Sequence, residues 1–215
     1  MSTATNQIIT HERIEEAITY EDFRELVKEL YEEGKTTSGT PQGDIPLLEF
    51  TRMNMQRMNR LDKQVELKDE VINELQSITG KWYWVTLVEG WCGDVAQNLP
   101  IIAKMADFTD NVALKLILRD QYPDIIDQYL TNGGRSIPKL ICLRASDLEE
   151  LGTWGPRPEP VQEMVLEVKR LKASDTPKKE LVDEYHEKMH KWYAEDKGQT
   201  IQDEFAGKIK EWKQH

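Results

Sequence analysis

The segment Lys81–Lys104, with the sequence KWYWVTLVEGWCGDVAQNLPIIAK, constrains the fold more than any other part of the chain. Its first residues, Trp82–Val88, are rich in aromatic and β-branched side chains, which predicts a buried strand. Gly90 interrupts that run, and from Asp94 onward apolar residues recur at helical spacing. We therefore expect a strand, a tight turn and a helix, with Cys92 where the helix begins.

A cysteine at the start of a helix has a chemical consequence. The first helical turn presents unpaired N–H groups and the positive end of the helix dipole, which bias a thiol toward the nucleophilic thiolate. Glu89 and Asp94 act in the opposite direction, because neighbouring negative charges raise the pKa of a thiol. Arg135, close to Pro138 in sequence, is a candidate to offset them. Which influence prevails stays open at this point.

These residues resemble the active-site region of the thioredoxin family. Trp91–Asp94 (W-C-G-D) is similar to the W-C-G-P-C motif of thioredoxins, and Arg135–Pro138 followed by Lys139–Leu143 resembles the family's cis-proline loop and strand. Leu151–Gly155, followed by a helix near Pro158, is a third similar piece. The set is most similar to a bacterial branch that carries W-C-G-D-x-A-Q-N-x-P, N-G-G-R-S-I-P and W-G-P-R-P.

The resemblance implies a thioredoxin-like α/β fold. We expect a mixed four-stranded sheet flanked by helices, with extra helices at both termini. Residues 1–65 are predicted to form an N-terminal helical extension, residues 66–172 the thioredoxin-like core, and residues 173–215 a C-terminal helical hairpin packed on the core.

The resemblance also assigns expected roles to particular residues. The predicted catalytic group is Cys92, Gly93, Asp94 and Pro138. The predicted substrate-binding residues are Trp91, Ile137, Arg135, Trp154 and Gly155. No metal site and no cofactor are expected.

The departures from the family pattern are as informative as the match. Val95 stands where a dithiol thioredoxin has its second cysteine, and Thr86 stands where the family buries an aspartate. Cys142 does not replace the missing cysteine, since it lies four residues beyond Pro138 along a strand, about 13 Å away. We expect Cys142 to be structural, so a disulfide at Cys92 would be intermolecular or with a low-molecular-weight thiol.

The flanking segments are predicted to be mainly helical. A helix capped by Thr19 is expected to reach Glu33, and a second, basic helix to contain Asn54, Arg57 and Met58. A solvated face and a set of side chains directed at Cys92 are both open readings of Asn54 and Arg57. Met1–Ile9 is predicted to be disordered, and Ser174–Pro177 to form a boundary.

His186–His190 reads H-E-K-M-H and matches the H-E-x-x-H pattern of zinc proteases. Charged neighbours surround it and no third ligand is evident. We therefore interpret it as an incidental match on a solvated helix face.

Composition limits the classes of partner. The net charge of −11 over 215 residues argues against a general affinity for nucleic acid or for an anionic membrane. The first residues contain no apolar run of signal-peptide length, and two cysteines do not make a disulfide framework, so a cytoplasmic location is expected. The oligomeric state is not predicted.

Two functions remain open on the sequence. The first is a monothiol thioredoxin-family protein that exchanges disulfides, or maintains redox homeostasis, through Cys92, with a protein or a low-molecular-weight thiol or disulfide as partner. The alternative is a non-catalytic binding or adaptor module that keeps the fold and has lost the redox pair.

Overall fold

The computed structural model describes residues 8–41, 46–174 and 179–215. Most of the predicted disordered segment Met1–Ile9, and most of the predicted boundary Ser174–Pro177, lie outside the described residues. Ile9 is described, and its side chain is only 3% exposed. The prediction of disorder is therefore wrong for this residue.

The described chain forms a sheet with helices before, between and after its strands. The helices are α1 (His11–Glu16), α2 (Tyr20–Glu32), α3 (Leu47–Gln64), α4 (Asp69–Gln76), α5 (Gly93–Asp107), α6 (Pro123–Ile126), α7 (Glu159–Lys172), α8 (Lys179–Asp196) and α9 (Gln199–Trp212). The strands are β1 (Trp82–Val88), β2 (Val112–Leu118), β3 (Lys139–Arg144) and β4 (Glu150–Trp154).

The four strands form one mixed sheet in the order β2-β1-β3-β4. Strand β1 pairs in parallel with β2, while the β1–β3 and β3–β4 pairs are antiparallel. The helical crossover α5 allows the parallel pair, since parallel neighbours need a long connection, and a short turn joins the antiparallel pair β3–β4. The predicted thioredoxin-like α/β fold, with extra helices at both ends, is confirmed.

Local turns limit two of these elements. Strand β4 begins at Glu150, because the chain turns at Leu148, whose φ is +58° and whose N–H bonds to the Arg144 carbonyl. Helix α6 ends at Ile126, and turns with hydrogen bonds between residues three apart follow it.

Buried side chains form two clusters. One cluster joins β1 to α4 and α9 and includes Trp84, Phe205 and Trp212, whose rings pack edge to face or tilted. The other cluster joins the sheet to α2 and the start of α5 and includes Phe23 and Val95. Helix α9 therefore supplies a substantial part of the core, as expected for a helix with a wide apolar stripe.

The segment before α2 covers an edge of the sheet. Ile18 exchanges both backbone hydrogen bonds with Leu116 of β2, at 2.9 and 3.0 Å. Thr19 then caps α2 and, with Asp22, forms a complete capping box. The predicted start of this helix is confirmed.

Candidate active site

Cys92 lies at the junction that the sequence predicts, as the N-cap residue of α5 directly after the turn that follows β1. Its side chain is half-buried, and the thiol donates a hydrogen bond to the carbonyl oxygen of Ile137 at 3.4 Å. The peptide bond between Ile137 and Pro138 is cis. Cys92 and Pro138 are thus brought face to face across the carboxyl end of β1 and the start of β3.

The surroundings of Cys92 favour the neutral thiol. Burial, followed by the charge of Asp94, raises the pKa of Cys92 from 9.0 to about 12. The backbone N–H groups of Val95 and Asp94 and the guanidinium of Arg157 lower that pKa, but by less. Of the influences that the sequence left open, burial and Asp94 prevail, because desolvation of a charged sulfur outweighs the donors at the helix start.

Asp94 is held by two side chains from the C-terminal part of the chain. Arg157 donates from Nε and a terminal nitrogen to one carboxylate oxygen, at 2.9 and 2.5 Å. The hydroxyl of Tyr193, on α8, donates to the other oxygen at 3.1 Å and accepts from Asn98 at 3.3 Å. The side chains of Arg157 and Asp94 are only 11% and 23% exposed, so this ion pair is shielded from solvent.

Arg135 does not offset the charges near Cys92 as proposed from the sequence. Its guanidinium forms a bidentate pair with Asp127 at 2.6 and 2.7 Å, and it is exposed. Arg157 takes the position that the sequence assigned to Arg135. Its sequence signal was the W-G-P-R-P motif, but nothing in that motif identifies Asp94 as the partner.

The two tryptophans among the predicted substrate-binding residues have different positions. Trp91 lies in the wall of a cavity next to Cys92, under the guanidinium of Arg119 at 4.9 Å. Trp154 is 5% exposed, packs on Phe205, and donates from its indole N–H to Glu204 at 2.7 Å. Because α9 covers Trp154, its side chain offers little exposed surface for the substrate-binding role that the resemblance implies.

Gly155 lies against the backbone of the loop that contains Pro138. Its φ is +109°, and a Cβ atom built on it would lie 2.3 Å from the carbonyl oxygen of Pro138. Gly155 therefore permits the close approach of two backbone segments that places Pro138 opposite Cys92.

The side chain of Glu89 belongs to a hydrogen-bonded group that does not include Cys92. Its carboxylate accepts from the hydroxyl of Thr37 and from the backbone N–H of Asp120 at 2.9 Å. Ser38 bridges the same carboxylate to that of Asp120, at 3.3 and 2.5 Å. Burial raises the pKa of Glu89, although the hydrogen bonds from Thr37 and Asp120 lower it.

Helix α3 contributes directly to the surroundings of Cys92. Asn54 is fully buried and donates to the carbonyl oxygen of Gly90 at 3.0 Å, while Arg57 donates to the side-chain oxygen of Asn54 at 3.0 Å. A Cβ atom on Gly93 would lie 3.5 Å from the Arg57 guanidinium. Of the two open readings, the structure supports the one that directs these side chains toward the Cys92 turn.

A cavity of about 660 Å³ opens between α3 and this turn. The side chains that form its wall include Phe50, Met53, Arg57, Trp91, Cys92 and His190. Cys92 is thus accessible from a space large enough for a small organic ligand.

The H-E-K-M-H segment lies on α8, where His186 and His190 are exposed at the edge of a smaller cavity of about 210 Å³. Within residues 8–41, 46–174 and 179–215, no group of three histidine, cysteine or acidic side chains is placed to bind a metal ion. The expectation of a solvated helix face agrees with this exposure, although His190 also borders the Cys92 cavity.

The residues at the positions of the family's second cysteine and buried aspartate are themselves buried. Val95 and Thr86 are 1% and 0% exposed. Cys142 is also fully buried, opposite Trp84 on β1 and Gly152 on β4, and burial raises its pKa. Its thiol is inaccessible to solvent, as expected for a structural cysteine.

Comparison with known proteins agrees with this architecture. A family model described as Thioredoxin matches residues 45–176. Protein PA1234 from Pseudomonas aeruginosa, of unknown function, superimposes with a TM-score of 0.60 at 15% identity, over 94% of this chain and 98% of its own. An HIV epitope-scaffold protein superimposes with a TM-score of 0.52 at 16% identity, over 90% of this chain and 98% of its own. The search of curated protein sequences found no significant match.

At these identities the two solved structures establish the fold alone. The family match carries more, because it extends over more than half of the 215 residues and includes Cys92, Pro138 and Gly155. With the mixed sheet and the cysteine at the β1–α5 junction, it shows that the chain belongs to the thioredoxin family.

Proposed function

We propose that this protein carries out monothiol thiol–disulfide exchange through Cys92. The observation that carries the proposal is the position of the Cys92 thiol, which lies 3.4 Å from the carbonyl oxygen of Ile137 and lines an open cavity. A substrate disulfide that enters this cavity reaches the sulfur beside the proline loop.

The proposed reaction has two steps. Cys92 attacks one sulfur of a disulfide, a bond forms between the two sulfurs, the substrate disulfide breaks, and the thiol proton passes to the departing thiolate. An external thiol then attacks the mixed disulfide and restores the Cys92 thiol. Because Val95 occupies the position of a resolving cysteine, the second step depends on that external thiol.

Several of the other predicted site residues support these steps. Gly93 and Asp94 begin α5, whose N–H groups face the developing thiolate, and Asp94 raises the pKa of Cys92. Pro138 and Ile137 align the extended group bound to the sulfur, while Trp91 offers an apolar surface. Gly155 keeps the proline loop in place.

The raised pKa makes Cys92 a slow nucleophile. With a pKa raised to about 12, the thiol stays almost entirely neutral at pH 7. The same property makes Cys92 a poor leaving group, since thiols of high pKa depart slowly. We therefore expect a mixed disulfide that forms slowly and then persists.

The second candidate, a binding module without redox activity, is favoured by one specific observation. The pKa of Cys92 is raised rather than lowered, and Val95 and Thr86 occupy the positions where the family has its second cysteine and its buried aspartate. In this case the cavity and the proline loop would bind a partner without covalent chemistry.

The pH dependence of alkylation measures the state of Cys92. We expect the iodoacetamide rate to rise about tenfold per pH unit and to keep rising above pH 10, where an ordinary thiol levels off. The midpoint is expected above that of an ordinary thiol because burial and the charge of Asp94 both favour the neutral form of Cys92. Mass spectrometry of Cys142→Ser protein follows the label at Cys92, and a midpoint near or below 9 would contradict the assigned surroundings.

Mixed-disulfide formation separates the two functions. Incubation with bis(2-hydroxyethyl) disulfide at pH 8 should add one mercaptoethanol unit at Cys92, and Cys92→Ser should prevent this. If the native protein forms no adduct while the unfolded chain does, exchange is wrong and the binding module is favoured.

Val95→Cys tests the alignment with dithiol thioredoxins. Because residues three apart on a helix lie about 5–6 Å from each other, the new thiol is expected to form an intramolecular disulfide with Cys92 under oxidising conditions. The mass loss of two hydrogens is measured in a Cys142→Ser background, with Cys92→Ser added as the control. Recovery of free thiols alone would count against the predicted geometry of the turn.

The class of partner and the cellular location stay predictions. We propose a protein or low-molecular-weight thiol or disulfide as partner, a cytoplasmic location, and membership of the bacterial W-C-G-D branch. Among the helices of the described residues, none combines the length and the apolar character needed to cross a bilayer.

A further inference from the structure

The cavity beside Cys92 contains a cationic side chain, Arg57, that has no role in the exchange reaction as described above. We propose that it binds a small organic disulfide that carries a carboxylate, and that Arg57 holds this carboxylate while Cys92 attacks the sulfur. This inference rests on the proposed function, and it adds the chemical class of the substrate.

The size and the walls of the cavity fit such a molecule. About 660 Å³ lies within the range of small-ligand sites. Leu47, Phe50, Met53 and Trp91 make much of the wall apolar, which suits the hydrocarbon part of a ligand. Phe50 is 38% exposed at the cavity, so apolar surface is available to a ligand.

Arg57 is the cationic side chain of this wall that we expect to bind the carboxylate. Its guanidinium is half-buried and is fixed by the side-chain oxygen of Asn54, which is itself anchored to the carbonyl oxygen of Gly90. Throughout the described part of the chain, no acidic side chain lies within ion-pair distance of Arg57. Burial lowers the pKa of Arg57, as does the nearby charge of Arg60, so a bound anion would offset an unfavourable environment.

The other charges at the cavity are already matched. Arg119 pairs with Asp120 at 2.6 Å and lies over Trp91. Asp94 acts on Arg57 through space, but its two oxygens are occupied by Arg157 and Tyr193. Among the described residues of this wall, Arg57 is therefore the permanent cation left for a ligand, since burial and the charge of Arg57 lower the pKa of His190.

Arg57 lies close enough to Cys92 for both side chains to contact one substrate molecule. The guanidinium lies 3.5 Å from the Cβ position of Gly93, the residue next to Cys92. A carboxylate a few bonds from the substrate sulfur would reach Arg57 while that sulfur meets Cys92. Charge-assisted hydrogen bonds of this kind are the stronger ones, and they orient the group as well as bind it.

A series of three small disulfides tests the inference. The probes are 3,3′-dithiodipropionate, bis(2-hydroxyethyl) disulfide and cystamine, which are similar in size and are anionic, neutral and cationic. Relative to its effect on the neutral probe, we expect Arg57→Gln to slow mixed-disulfide formation with the anionic probe about tenfold further and to favour the cationic probe. Comparing each probe between variant and native protein cancels the intrinsic reactivity of its leaving group.

Two further variants sharpen the test. Arg60→Gln makes the same change in net charge on the same helix, but Arg60 is exposed and does not line the cavity, so all three rates should stay within about twofold. Arg57→Lys keeps the charge and should retain most of the preference for the anionic probe. Equal effects of Arg57→Gln on all three probes, or no effect, would overturn the anion site.

Calorimetry keeps this inference separate from the proposed exchange function. We expect 3,3′-dithiodipropionate to bind Cys92→Ser protein, and to bind at least tenfold more weakly when Arg57→Gln is added. Binding with this dependence supports the anion site even if Cys92 exchanges with none of the probes, which would refute the exchange function alone. Absence of binding, with exchange of the neutral probe intact, would overturn the anion site alone.

Discussion

Gly155→Ala is expected to lower the free energy of unfolding by about 3–5 kcal/mol. Alanine is disfavoured at a φ of +109°, and its Cβ would lie 2.3 Å from the carbonyl oxygen of Pro138, a separation that forces the backbone to move. Because the two segments are in contact, that movement displaces the Ile137 carbonyl that accepts from Cys92. We therefore also expect a slower reaction of Cys92 with small disulfides.

Urea denaturation followed by circular dichroism measures the change in stability. Gly207→Ala is the matched control, because Gly207 lies inside α9 with nothing within 4 Å of its Cβ position. Helix propensity predicts that this control gains about 0.5–1 kcal/mol. A loss below about 1 kcal/mol for Gly155→Ala would mean that the proline loop yields easily, contrary to the close packing described above.

Arg157→Ala is expected to lower the free energy of unfolding by about 3 kcal/mol, since it leaves a shielded carboxylate without its cation. The side chains of Arg157 and Asp94 are 11% and 23% exposed, so solvent replaces the lost contact poorly. The pKa of Cys92 should also rise further, because Arg157 lowers it and its loss leaves Asp94 uncompensated. Alkylation at pH 8 should accordingly be slower than in the native protein.

A matched surface pair provides the control for this effect. Arg170 pairs with Glu167 on α7, but its side chain is 75% exposed, so Arg170→Ala should cost less than about 0.5 kcal/mol. Adding Asp94→Asn to Arg157→Ala should recover part of the lost stability and make Cys92 more reactive, because the unpaired charge is removed. If Arg157→Ala and Arg170→Ala lower the free energy of unfolding equally, the Arg157–Asp94 pair stabilises the fold no more than a surface ion pair does.

Local sequence patterns predicted the elements around the site well. Strand β1 has the predicted bounds, because a run of aromatic and β-branched residues before a turn defines a buried strand. The cap of α2 at Thr19 and the position of Cys92 at the start of α5 depend on neighbours within a few residues. Such features are local, so one stretch of chain contains the information for each.

Contacts between distant residues decided the chemistry of the site. The partners of Asp94 are Arg157 and Tyr193, 63 and 99 positions away, and no local pattern identifies them. The same holds for Trp154, which α9 covers, and for Arg57, which α3 brings to the Cys92 turn. Local patterns therefore placed the thiol at the start of α5, whereas packing of distant segments around it raises its pKa. Desolvation and ion pairing act through space, and sequence patterns report only neighbours along the chain.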